Sequence, residues 1–221
     1  NSVSSATQDI ERSIALLWDE QPKVGRNGLS VPVIVAAAIK IANAKGLELV
    51  SMRSVADYIG AAPMSLYAHV PGKAELINLM IETAYAGLYT SLDEPASQSG
   101  GWRAGLTLVA ARNWALYQAH PWLLDGGNSR PVLGPHTLGK YEAELRPLDN
   151  LGLSDVEMDS LLTLLLSHVE GVARVQNNLR RVRAASGLSD SDWWRIVGPA
   201  LERHVGQLDL RLSSRVGSAA S

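Results

Sequence analysis

Apolar residues recur three and four places apart along most of the chain. No run alternates apolar and polar β-branched residues between turn signals, so the pattern predicts helices throughout. Ile10, Ile14, Leu17 and Trp18 give residues 8–20 one apolar side, and the breaker-rich QPKVGRNGLS follows. Ser30 is expected to cap a helix running to about Lys45, with Pro32 in its first turn, Gly46 as its stop, and an apolar face of Ile34, Ala38, Ile41 and Ala42. A second short helix starts at the cap Ser51 and ends at Gly60, with Val55 and Ile59 one turn apart. Pro63 opens a third that stops before Pro71, and Gly72 starts a long fourth containing LINLMIETAYAGLY. The polar SLDEPASQSGG reads as a linker, with a boundary near residues 91–101. Helices at 102–119 and 136–146 then flank the Gly/Pro-rich DGGNSRPVLGP. Two long helices follow, at 154–183 and 190–213, the second bent at Pro199. The tail RVGSAAS is expected to be disordered.

The segment AAPMSLYAHVPGK, residues 61–73, rewards an angular reading. Two short helices joined at Gly60, with the next entered through a proline, have the helix-turn-helix outline. At about 100° per residue, Leu66 and Val70 form an inner ridge while Met64 and Ala68 lie roughly opposite. Ser65 falls on one outward flank, and Tyr67 and His69 lie near the two sides. A helix laid in the DNA major groove needs slim or flexible groups facing base edges and hydroxyls or rings reaching the phosphate walls. Met64 and Ala68 suit thymine methyls, and Ser65 suits a base or a phosphate. Lys73, in the first turn of the next helix, sits where the macrodipole disfavours a cation but where free backbone N–H groups and an ammonium together seat a phosphate. Arg53, near the start of the second short helix, is placed to reach a guanine or a phosphate. On geometry alone the alternative stays open: Tyr67 and His69 pack at the edge of a helical core and Lys73 points into solvent.

Charge supports the DNA reading only locally. The formal net charge is -2, but residues 21–73 carry a balance of +4 between stretches that are each at -3. A basic segment in an acidic chain hints at a phosphate-binding face. Cysteine is absent, which excludes disulfides and thiolate metal sites, and the histidines share no metal-ligand spacing, so no metal or other cofactor is expected. No apolar run is long enough for a membrane span and no signal peptide is evident, so a cytoplasmic location is expected.

The run AAAIKIANAKGLELVSMRSVADYIGAAPMSLYAHVPGKAELINLM resembles the N-terminal domain of the tetracycline-repressor (TetR) family of bacterial transcription regulators. The resemblance rests on the small-apolar first helix, Gly46, Ser51-Met52-Arg53-x-x-Ala56, Gly60, Ser65-Leu66-Tyr67-x-His69-Val70 and Lys73. It implies an all-α chain: a three-helix DNA-binding head at 30–76, then a helical ligand-binding and dimerisation body at 77–215, with an extension at 1–29 and a tail at 216–221. By motif position Ser51, Arg53, Met64, Ser65, Tyr67, His69 and Lys73 match operator contacts, Tyr67, His69 and Lys73 being phosphate contacts. Ala62 and Ala68 join the expected DNA-facing set. The positions before Ser65 are short of polar groups, whereas several relatives carry longer polar side chains there. Lys23 and Arg26, just before the first head helix, suit a basic arm entering a minor groove or, equally, a solvated linker.

Downstream, the aromatic residues and a few polar handles suggest an apolar cavity: Tyr85, Tyr89, Asn113, Trp114, Tyr117, Trp122 and His168. Aromatic residues at helical spacing are equally at home in a core. Leu201, Val205, Leu208 and Leu212 form a stripe that a two-fold partner would cover, with Leu165, Val169 and Val172 on the preceding helix in the same interface, or that would close the monomer's own core. No nucleophile elbow, phosphate loop, zinc-protease helix or dinucleotide fingerprint occurs, so an enzyme is not expected. The sequence therefore reads as a homodimeric regulator that binds double-stranded operator DNA and is released by a small-molecule effector. An activator, a regulator without a ligand and a scaffold are its rivals.

Overall fold

The structure is a computed structural model describing residues 2–18, 28–125, 131–205, 208 and 210–220. Lys23 and Arg26 lie outside these residues. Among the described residues there are helices and turns and no strand, as the spacing of apolar positions predicts. The α-helices are α1 (Ser2–Leu17), α2 (Val31–Lys45), α3 (Met52–Ile59), α4 (Pro63–Tyr67), α5 (Lys73–Tyr85), α6 (Gly101–Ala119), α7 (Pro135–Leu145), α8 (Asp155–Ser186), α9 (Asp190–Val205) and α10 (Arg211–Ala220).

Local chemistry accounts for most boundaries. Gly46 stops α2 at a φ of 96°, and Gly60 ends α3 in the left-handed region at φ 69°, where a side chain would be strained. Ser51 and Ser54 form a reciprocal capping box at the start of α3. Ser30 differs from expectation: it sits at the N-cap of α2 in extended conformation, but its buried side chain makes no capping hydrogen bond. Pro32 supplies the pre-set backbone in the first turn instead.

Compactness divides the chain into two units, Asn1–Ala173 and Arg174–Ser221. The first has two cores. In one, Ile34, Ala38, Val50, Val55, Leu66, Val70, Leu76 and Met80 of the head close around each other, joined by Trp122 and Val132 from far along the chain. In the other, Val109, Leu148 and Leu162 pack with Tyr89, Leu106, Leu145 and Leu165. Trp122 and Val132 bury apolar surface in the head core, tying it to segments far along the chain. Residues 91–100 are a series of turns. Gly105 of α6 lies where Pro95 and Pro147 come so close that a Cβ would collide with both.

The second unit holds the end of α8, with α9 and α10. Arg183 and Asp190 form a two-pronged ion pair across the α8–α9 turn, with Nε to Oδ1 at 2.7 Å. Pro199 lies inside α9, as expected, but the helix stops at Val205 rather than continuing to 213. The tail expected to be disordered is helical through Ala220. Leu212 and Val216 one turn apart, ending in alanines, are the helical signal that its serines and glycine obscured.

Candidate DNA-reading face and effector pocket

The three head helices put Leu66 and Val70 wholly inside, so α4 is held by its inner ridge against α2 and α3. Five residues are too few for a helix to persist unaided, and this anchoring is what fixes its outer side. Met64 stands 77% exposed opposite that ridge, with Ala62, Tyr67 and Ala68 also exposed and His69 half-buried. Ser65 is half-buried and its hydroxyl turns back to donate to the Ala62 carbonyl at 2.6 Å. Its oxygen keeps lone pairs for an incoming donor. Arg53 on α3 and Lys73 at the first position of α5 are exposed. A groove of about 480 Å³ runs along Gly28, Leu29, Val33, Gly60, Ala61, Ala62, Ser65, Ala68 and His69, taking in one flank of α4 but neither Met64 nor Tyr67.

Ser51 is placed differently. Its hydroxyl accepts from the Ser54 N–H at 3.0 Å and donates to the Ser54 hydroxyl at 3.1 Å. It is therefore a helix cap first, and the local capping chemistry that the sequence reading already recognised explains it.

The expected cavity residues separate into groups. Tyr85 and Tyr89 do share a hollow of about 260 Å³, walled by Leu88, Leu92, Pro135, His136, Gly139, Lys140 and Ala143. Asn113 lies buried beside it in a polar network: its amide donates to Glu144 Oε1 at 2.6 Å and to the Val109 carbonyl at 2.9 Å. The Tyr89 hydroxyl donates to the same Glu144 oxygen at 2.8 Å, and Lys140 reaches Oε2 at 2.7 Å. Lys140 also lies 5.4 Å from the Tyr85 ring centre. Burial, followed by the Glu144 charge, pushes the Tyr85 phenol up to about 12 and raises that of Tyr89 as well. Both stay protonated at neutral pH.

Trp122 is not in this hollow. It is buried in the head core, and its indole N–H donates to Asn43 Oδ1 at 2.9 Å. His120 Nδ1 shares that oxygen at 3.1 Å, and burial lowers the imidazole's pKa. Trp114 and Tyr117 are half-buried on α6 without lining the hollow, and His168, expected as a buried imidazole, is exposed on α8. Of the interface residues, Val172, Leu201 and Leu208 are exposed and Leu165 and Val205 half-buried, whereas Val169 is buried and serves the chain's own packing. The sequence reading missed Glu82, Lys140 and Glu144. The i,i+4 spacing of Lys140 and Glu144 was the available signal, as was an acid at position 82 inside the apolar LINLMIETAY.

Residues 34–80 match the family model described as bacterial regulatory proteins, tetR family, and residues 94–209 match the tetracyclin repressor-like C-terminal domain. The chain belongs to the TetR family. A curated relative, the HTH-type transcriptional repressor DrrR1 of Streptomyces coeruleorubidus, is 39% identical over 204 residues, covering 90% of this chain and 74% of the relative. Two solved structures of the Streptomyces coelicolor TetR family protein ActR align with it. The complex with (S)-DNPA has a TM-score of 0.61 at 27% identity over 68% of this chain and 72% of ActR. The complex with actinorhodin has a TM-score of 0.65 at 23% identity over 87% and 84%, and shows the fold alone. As a TetR-family chain this is a DNA-binding transcriptional regulator with a helix-turn-helix head and a helical C-terminal domain; the matched families and relatives are regulators, not enzymes. Among the described residues no helix is long and apolar enough to cross a membrane.

Proposed function

We propose that the chain is a repressor that works as a homodimer, its two heads at 30–76 occupying successive major grooves of a palindromic operator about 34–36 Å apart. The observation that carries the reading is the division of α4 into an inner ridge with no exposed surface and an outer side led by Met64. Met64 and Ala68 face base edges, Tyr67, His69 and Lys73 hold phosphates, and Arg53 reaches a guanine or a phosphate. Lys23 and Arg26 form a minor-groove arm. The repressor name of DrrR1 supports the direction of regulation.

A small molecule releases the operator by entering the body beside Tyr85 and Tyr89. The hollow there and the (S)-DNPA complex of ActR support this step. Release requires the ligand to bind two conformers unequally, and coupling of about 1–3 kcal/mol changes operator affinity about 5–150-fold. The dimer forms through the exposed apolar residues of α8 and α9, including Val172 and Leu201.

Selection of bound DNA from a random pool, followed by a screen for compounds that release it, tests the reading. Met64→Ala should alter the selected bases, whereas Tyr67→Phe should weaken all sequences alike. An unchanged selected site in Met64→Ala refutes the base assignment. A pool that yields no enriched sequence refutes operator binding, and operator affinity unaltered in Lys23→Ala/Arg26→Ala refutes the arm.

A further inference from the structure

Glu82 is a buried carboxylate on α5, and such a group is tolerated only when its oxygens are satisfied. Its partners lie more than fifty residues away, at the start of α7. The His136 N–H donates to Oε2 at 2.8 Å, the Thr137 N–H donates to Oε1 at 3.0 Å, and the Thr137 hydroxyl also donates to Oε1. The residue at the N-cap of α7 is Gly134, which has no side chain to offer. Glu82 therefore does for α7, from another helix, what a capping residue does for its own. Glycine is required for the approach, since a Cβ at 134 would run into the Glu82 carboxylate.

The same short segment is tied from a second side. The Leu133 carbonyl accepts from the Trp18 indole N–H at 2.9 Å. Trp18 closes α1, whose Leu16 and Leu17 pack on the head core and whose Ser13 hydroxyl lies 3.4 Å from Glu75 Oε1 on α5. Residues 133–137 are thus fastened to α5 directly by Glu82 and indirectly by α1. They also wall the hollow beside Tyr85, through Pro135 and His136. Tyr85 comes three residues after Glu82 on α5, and Lys73 stands at that helix's other end.

The geometry points to a latch. The Glu82 cap on α7, braced by Trp18, holds α5 in its operator-competent position, and α1 is a working part of the regulator although it precedes the segment matched by the family's head. A molecule widening the hollow has to part residues 133–137 from Tyr85, and that movement strains the cap. α5 is then released at the end remote from DNA and shifts at Lys73.

The proposal rests on the DNA-binding reading for one of its two readouts. The test uses the full chain as wild type, Glu82→Gln and Trp18→Phe, with far-UV circular dichroism as the folding control. Hydrogen exchange by mass spectrometry is followed in residues 73–85 and 131–140, and affinity is measured for the operator selected by the wild type. Both variants should speed exchange in both segments together, and operator affinity should fall by about 5-fold or more, the lower end of ordinary coupling. Trp18→Phe keeps the ring and loses only the N–H, so it carries the test if Glu82→Gln does not fold. Faster exchange confined to residues 131–140, or to α1, with wild-type operator affinity overturns the latch. If the wild type selects no operator, the DNA reading falls, and the paired exchange response still decides whether the latch exists.

Discussion

Replacing Lys140 with methionine isolates the electrostatics of the body's polar network. Glu144 has 1% of its side chain exposed and Lys140 11%, so water does little for either charge. Tyr89 and Asn113 both donate to Oε1, leaving Lys140 as the recorded partner of Oε2. Methionine preserves the length and apolar stem but strips that oxygen of its cation. Removing one member of a buried pair costs about 3–5 kcal/mol, because the surviving charge stays buried. The two remaining donors place the expected loss near the lower value, about 3 kcal/mol, which is roughly 6–12 °C in Tm for a chain of this size. The assay is urea unfolding followed by circular dichroism at one fixed protein concentration, so that self-association contributes equally to every variant. Adding Glu144→Gln to Lys140→Met should restore at least about 1 kcal/mol relative to additivity, because the stranded charge is gone. A Lys140→Met protein indistinguishable from wild type, or strictly additive effects in the double variant, refutes the network as described.

Leu66→Ala should destabilise by about 2–5 kcal/mol, read by urea midpoint, because it empties a fully buried site; operator binding should be lost with it, since this ridge positions α4. Ser51→Ala should cost about 0.5–2 kcal/mol in the same assay through the lost cap, and an unchanged midpoint contradicts the capping role. His120 has a pKa lowered by burial, so the unfolded chain takes up a proton at a pH where the folded one does not. Its stabilising contribution is complete above about pH 6.5 and declines as pH falls from there through the folded value. His120→Gln should flatten the dependence of the urea midpoint on pH in that window.

The head was largely legible because its signals are local. Ser51, Gly60 and Pro63 act within one turn of themselves, and the 40° separation of Leu66 and Val70 follows from helical geometry alone. What stayed hidden depends on partners far away in the chain. Trp122 looked like a cavity residue because nothing near it announces Asn43, 79 positions away. Glu82 drew no reading from the sequence because its partners, His136 and Thr137, lie 54 and 55 positions away. His168, expected in a cavity, is exposed and Val169, expected under a partner, is buried, because an apolar stretch such as LLTLLLSHVEGV leaves the rotation of its helix undecided. Tyr85 and Tyr89 were found at the hollow for a local reason, since both lie at or just past the end of α5 where the chain turns away.

The anchoring of α4 through Leu66, with Val70 just past its end, has a consequence for descent. Met64 and Ala68 make no contribution to the head's interior, so substitutions there are hardly screened by folding. A duplicated copy can therefore drift at these two positions without disturbing the packing of its head. The inner ridge tolerates no such wandering, so relatives that regulate unrelated genes should still share it.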